Sequence, residues 1–208
     1  MRDAKLMGRL TASATHEMQN ILATIRESSG LMEDLLAMSS EGFAHAERFK
    51  RGLTVLSEQV ERGMMLTEQL NFCAHAPEES PAGADVNLAV RALVGLSRRH
   101  AARGKVNLVL AAGRSGLRTS LRAVEVMELA CLALDCSLQC LPMDAQLLLS
   151  VEEQGGLAVV RLDSPGFETL RRNEHCAELS ELAGKLGVGI AAGPGGNGLV
   201  LSLPRSAA

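Results

Sequence analysis

Gly8-Arg9-Leu10-Thr11-Ala12-Ser13-Ala14-Thr15-His16-Glu17-Met18-Gln19-Asn20-Ile21-Leu22 places apolar or small residues at Leu10, Ala14, Met18 and Ile21, three or four apart. That spacing marks one face of an α-helix. The same period reaches back to Met7 and on to Ile25, Met32 and Leu35, with no proline from 3 to 38, and predicts one long amphipathic helix there. After Ser39-Ser40-Glu41-Gly42 a second run, Phe49, Leu53, Leu56, Val60, Met64 and Leu70, predicts another helix ending at about residue 74. A short connection between two long helices makes an antiparallel hairpin. Two helices cannot enclose their own apolar stripes, so the hairpin is expected to pair with a second copy of itself as a dimeric four-helix bundle.

On the first helix His16 falls between Ala14 and Met18, and the 100° step per residue turns it away from the apolar face. Its surface neighbours are Arg9, Ala12, Gln19, Asn20 and Ala23. A lone exposed histidine is most often just a surface residue. Here the adjacent groups suit nucleophilic chemistry: Glu17 is placed to hold the imidazole tautomer, Asn20 to orient a water or phosphoryl oxygen, and Arg9 to counter phosphate charge. Ala12, Gln19 and Ala23 leave room for another protein's helix.

Pro77-Glu78-Glu79-Ser80-Pro81-Ala82-Gly83 is rich in turn formers and lacks periodicity, so 77–84 reads as a linker between domains at 1–76 and 85–208. Beyond it helices are expected near 87–102, 121–141 and 168–186, with strands near 106–111, 146–151, 157–162, 187–191 and 199–203. The expected fold class is therefore α+β, a helical hairpin followed by a mixed α/β layer. Gly193-Pro194-Gly195-Gly196-Asn197-Gly198 lacks the Gly-Lys-Ser/Thr ending of a phosphate-binding loop and reads as a hairpin turn.

A net charge of −3, with Lys and Arg spread along the chain, provides no electrostatic footprint for nucleic acid or an anionic membrane surface. Four Phe and no Trp or Tyr leave few platforms for stacking bases. No signal-like or bilayer-length apolar run is present, so no membrane insertion and a cytoplasmic location are expected. The five cysteines lack close CxxC pairs and read as reduced, structural thiols. Cys136 and Cys140 are one helical turn apart, but apolar neighbours and no flanking His argue against a metal site.

The segment from Gly8 to Leu22 resembles the H-box of two-component sensor histidine kinases, where a phospho-accepting His is followed by an acidic residue and then Asn. Ile21 stands where that family customarily has Pro. Leu56-Ser57-Glu58-Gln59-Val60-Glu61-Arg62 through Leu70-Asn71-Phe72 looks like the second helix of the same dimerisation and phosphotransfer domain. Asp85-Val86-Asn87-Leu88 is similar to the opening of the kinase ATPase domain, and Leu201-Ser202-Leu203-Pro204 to its last strand. The resemblance implies that the second domain is a degenerate ATPase-like α/β sandwich. The family carries Asn residues for magnesium where Leu132 and Cys136 stand, and neither offers an oxygen. Asp135 is one residue away, about 100° around the helix. In Asp163-Ser164-Pro165-Gly166-Phe167 only Asp163 and Pro165-Gly166 match the adenine turn, so Asp163 and Gly166 are vestigial binding positions. The stretch from Phe167 to Ala177 is too short for a lid and has no glycine to approach phosphates.

The resemblance thus implies a histidine phosphotransferase that shuttles a phosphoryl group between response-regulator receiver domains through His16. Neither ATP nor a resident metal is expected, magnesium coming from the partner receiver. Two readings stay open beside it: a sensor kinase binding ATP weakly through Asp163, and a non-catalytic dimeric scaffold or inhibitor.

Overall fold

The computed structural model describes residues 2–38, 46–76, 83–111, 116–164, 174–193 and 198–204. Helices α1 (Arg2–Ala37) and α2 (Ala46–His75) form the expected hairpin. They run antiparallel, with Met32 against Gly52 and Ile21 against Gly63. The predicted stripe of α1 is buried at Leu10, Ala14, Ile21 and Leu35, joined by Leu6. On α2 the outcome differs. Gly52, Leu66 and Cys73 are buried, whereas the predicted core positions Leu53, Val60 and Met64 are exposed. Within one chain, α1 and a third helix, α3 (Val86–Arg103), which packs on both hairpin helices, cover one face of α2 and leave the other open. Gly95 allows this approach, since the Gln69 amide occupies the space that a Cβ would fill.

The 77–82 part of the expected linker lies outside the described residues. Chain order resumes with a short antiparallel pair, β1 (Ala84–Asp85) and β3 (Arg118–Thr119), that the sequence pattern did not reveal. Asp85 caps α3 by accepting a hydrogen bond from the Leu88 N–H at 3.1 Å. The main sheet has the order β2 (Asn107–Leu110), β4 (Gln146–Gln154), β5 (Leu157–Asp163), β7 (Leu199–Leu203), β6 (Gly189–Ala192). Only β2 and β4 run parallel; the other neighbours are antiparallel, so the sheet is mixed as expected.

Register puts Leu147 of β4 beside Leu108 of β2, Leu149 and Val151 beside Leu162 and Val160 of β5, and those beside Leu199 and Leu201 of β7. This face is the core. The opposite face carries Glu152 and Arg161, ion-paired at 3.3 Å. Helices α3 and α4 (Ala123–Cys140) contact the sheet, with α5 (Glu174–Leu186) against α4. At the start of α4 the Arg122 N–H donates to Glu125 Oε2 at 2.9 Å, a capping interaction that satisfies an otherwise orphaned donor. The predicted third helix began at 168, but 165–173 lie outside the described residues. Among those described, no helix is long and apolar enough to cross a membrane.

The thiol reading needs one correction. Cys136 of α4 and Cys176 of α5 form a disulfide, because packing of the two helices brings their Cα atoms to 5.4 Å. Cys73 and Cys131 stay free and buried, and burial pushes both thiols up to about 12.

Two measurements follow from this architecture. Alkylation of the native, unreduced protein is expected to spare Cys73, Cys131, Cys136 and Cys176, and alkylation of the denatured protein to reach Cys136 and Cys176 only when a reductant is present; peptide mass spectrometry checks this. Gly198 enters β7 at φ 113°, where a Cβ would collide with the Leu162 carbonyl and lie 2.8 Å from Asp163 Oδ1. Gly198→Ala is expected to destabilise the protein by about 2 kcal/mol or more, read from urea melts.

Candidate functional site

Helix α1 presents His16 to solvent, together with Ala12, Gln19 and Asn20, while Ala23 is half-buried. The side chains of Arg9, Ser13, His16 and Asn20 project within about 60° of one another around the helix axis. Along this sector the chain makes its long-range polar contacts. Arg9 Nη1 and Nη2 donate to Asp135 Oδ2 and Oδ1 of α4 at 2.7 and 2.9 Å, and His100 Nε2 of α3 lies 3.0 Å from Oδ1. One turn further on, Ser13 Oγ donates to the Leu96 carbonyl of α3 at 2.7 Å. The α/β layer is therefore seated on the His16 side of α1, immediately N-terminal to the imidazole. His16 emerges past the edge of that contact, about 10 Å along the helix from Arg9.

Two expected roles change. Arg9 is committed to Asp135 instead of standing free beside the imidazole, because α4 places a buried carboxylate within its reach. Glu17 is half-buried and accepts a hydrogen bond from Arg62 of α2, which crosses from the antiparallel helix, so the carboxylate faces the hairpin partner and not the His16 ring. The structure brings Glu17 and Asn20 onto one wall of a cleft between hairpin and α3, with Arg62 beside them. His16, Ala12, Gln19 and Ala23 are not part of its lining.

Asp135 is the residue that sequence reasoning set aside. Its side chain is only 5% exposed. Burial alone would raise its carboxyl, but hydrogen bonds from His100 and Arg9, with the attraction of their charges, outweigh that and pull it down to about 2. The signal was an acid inside the apolar run Leu132-Ala133-Leu134-Asp135-Cys136, which calls for a cationic partner. Which cation answers it is invisible in the sequence, since Arg9 lies 126 residues away.

The same helix decides how well a magnesium nucleotide would fit. Leu132 is half-buried and apolar, Cys136 is held by Cys176, and both Asp135 oxygens are taken. These positions supply no free oxygen donor for magnesium. Asp163 is half-buried with its carboxyl raised by burial, and the neighbouring Ser164 Oγ is buried without a hydrogen-bond partner. Gly166 lies outside the described residues. Among those described, no cluster of three or more His, Cys, Asp or Glu is arranged to hold a metal.

No protein-family model and no curated protein matches the sequence. Solved structures match it in fold. The histidine kinase AdeS of Acinetobacter baumannii superposes with a TM-score of 0.50 at 12% identity, over 92% of this chain and 98% of that one. A bacterial phosphotransferase gives 0.45 at 14% identity, over 96% of this chain and 95% of its own. The catalytic domain of the histidine kinase ThkA gives 0.48 at 9% identity over 59% of this chain and 95% of its own. The AdeS likeness shows a histidine-kinase-like fold.

The Asp135 cluster predicts a pH signature. A carboxyl lowered from 3.8 to about 2 on folding adds stability above its unfolded value, and this is lost as pH falls through that window. Wild type is expected to lose on the order of 1–2 kcal/mol more than Asp135→Asn between the two pH limits in urea melts. Arg9→Ala is expected to cost about 1–3 kcal/mol near neutral pH, below the value for a fully buried pair because Arg9 and His100 are partly in water.

Proposed function

We propose that this protein is a histidine phosphotransferase of a two-component phosphorelay, carrying a phosphoryl group on His16 between response-regulator receiver domains. The observation that carries the reading is the exposed His16 on α1, within its H-box-like segment, beside an α/β layer whose magnesium positions are Leu132 and a disulfide-bonded Cys136. An exposed imidazole with no neighbouring nucleotide chemistry needs a phosphoryl donor that arrives on another protein.

In the forward step a neutral His16 ring nitrogen attacks the phosphorus of a receiver's aspartyl phosphate. The P–N bond forms as the P–O bond to the aspartyl oxygen breaks, and the carboxylate leaves with the electron pair. Transfer to a second receiver reverses these events, its aspartate attacking and the imidazole leaving. Magnesium in the receiver's acidic pocket would offset the charge on the phosphoryl oxygens. Asn20, exposed one turn beyond His16, is placed to hydrogen-bond a phosphoryl oxygen. Glu17 and Arg62 hold α1 and α2 together at that level.

The remaining apolar surface supports a homodimer through the hairpin. Leu22 and Leu36 of α1 and Leu53, Val60 and Met64 of α2 are each about half exposed or more within one chain. Covering them with a second copy would complete a four-helix bundle.

Incubation with phosphorylated receiver domains is expected to give an acid-labile label on the wild type and none on His16→Ala, whose circular dichroism should be unchanged because the side chain is exposed. Label retained in His16→Ala would overturn the assignment. Receiver binding without any transfer by the wild type would select a scaffold or inhibitor, and labelling directly from ATP would select a kinase.

A further inference from the structure

The cleft between the hairpin and α3 has a volume of about 730 Å³, within the range that holds small-molecule ligands. Its lining carries four arginines against two acids. Arg91, Arg98 and Arg99 line it from one face of α3, the spacing of seven and eight residues bringing them into a row, and Arg62 lines it from α2. Among the described residues the three α3 guanidinium groups have no ion-pair or hydrogen-bond partner.

The acids facing them are Glu17 and Asp85, and both are engaged. Glu17 receives Arg62, and the two Asp85 carboxylate oxygens accept the N–H groups of Leu88 and Gly116 at 3.1 and 3.2 Å. Like charges gathered around a concavity focus a positive potential that an anion would relieve. The planar guanidinium forks match phosphate oxygens bidentately. Between the arginines lies apolar surface from Leu66, Leu88 and Leu110, with Leu88 52% exposed in this basic setting. An apolar floor with a few convergent charged groups is the composition of a small-ligand pocket.

We infer that this cleft binds a phosphorylated small molecule of nucleotide size. Its phosphates are held by Arg91, Arg98 and Arg99, and its uncharged body lies against Leu66 and Leu88. The site is separate from the nucleotide position of the fold, because Leu132, Cys136 and Asp163 take no part in its lining. It does not rest on phosphotransfer through His16. Since Glu17 and Asn20 form its wall on α1, an occupant would abut the turn that carries His16.

Calorimetry on the full chain without magnesium, with ADP and with inorganic pyrophosphate as probes, tests the inference. Both are expected to bind with Kd on the order of 10–100 μM, ADP the more tightly, and more weakly as salt rises. Arg91→Ala and Arg98→Ala should each weaken binding by about tenfold, while Asp163→Asn binds as wild type does. Amide shifts on adding ADP to the wild type should cluster on α3 between Asn87 and Ala102, a readout that requires no variant. No binding of either probe overturns the inference, as does binding that persists in the arginine variants. Loss in Asp163→Asn would move the nucleotide to the kinase-like position. Arginine variants that lose only receiver binding would make the row a protein-docking face.

Discussion

The bidentate pairing of Arg9 with Asp135, completed by His100, is the constraint on which the rest of the arrangement depends. A carboxylate that is 5% exposed is tolerated only with its charge matched, and here the matching charge comes from a different structural unit. The pairing therefore ties α4 to α1 and sets where the α/β layer rests along the hairpin. Ser13 on the Leu96 carbonyl, and Gln69 in the space left at Gly95, add two further points of attachment. With contacts from both hairpin helices, the α/β layer is held in place along the hairpin as well as against it.

That placement has consequences at both ends of the contact. Past its upper edge His16 is left exposed, with one side bounded by the α/β layer and the other open to solvent. Between the hairpin and α3 the departing helices leave a cleft, and α3 turns a row of arginines into it. Inside the layer, α4 is tied to its neighbours on several sides. Leu132 packs, Asp135 anchors the hairpin and Cys136 is bonded to α5, so three neighbouring positions are each taken up by holding the molecule together.

Much of this was legible in the residues. Apolar period alone located the two long helices and their hairpin, the helices and strands of the layer, and the exposed setting of His16, because these features depend on spacing within ten or so residues. The strands flanking the glycine-rich run, β6 and β7, pair antiparallel as a hairpin requires, while 194–197 lie outside the described residues. Spacing was less decisive where a helix is apolar on more than one side or an element is very short. Helix α2 carries apolar residues on more than one side, and within one chain Leu66 and Cys73 are buried while Leu53, Val60 and Met64 are not. The two-residue strands β1 and β3 are too short to show any alternation.

By itself, then, the sequence determined the order and type of the long elements, the mixed sheet, and a histidine on the wet side of the first helix, all properties of local periodicity. Tertiary structure alone decided the partner of Arg9, the bond between Cys136 and Cys176, the turning of Glu17 toward Arg62, and the gathering of four arginines around one cleft. Each of these joins residues distant in the chain. Charge and thiol chemistry state that a buried group needs a partner, but only the packing of helices determines which residue is near enough to serve.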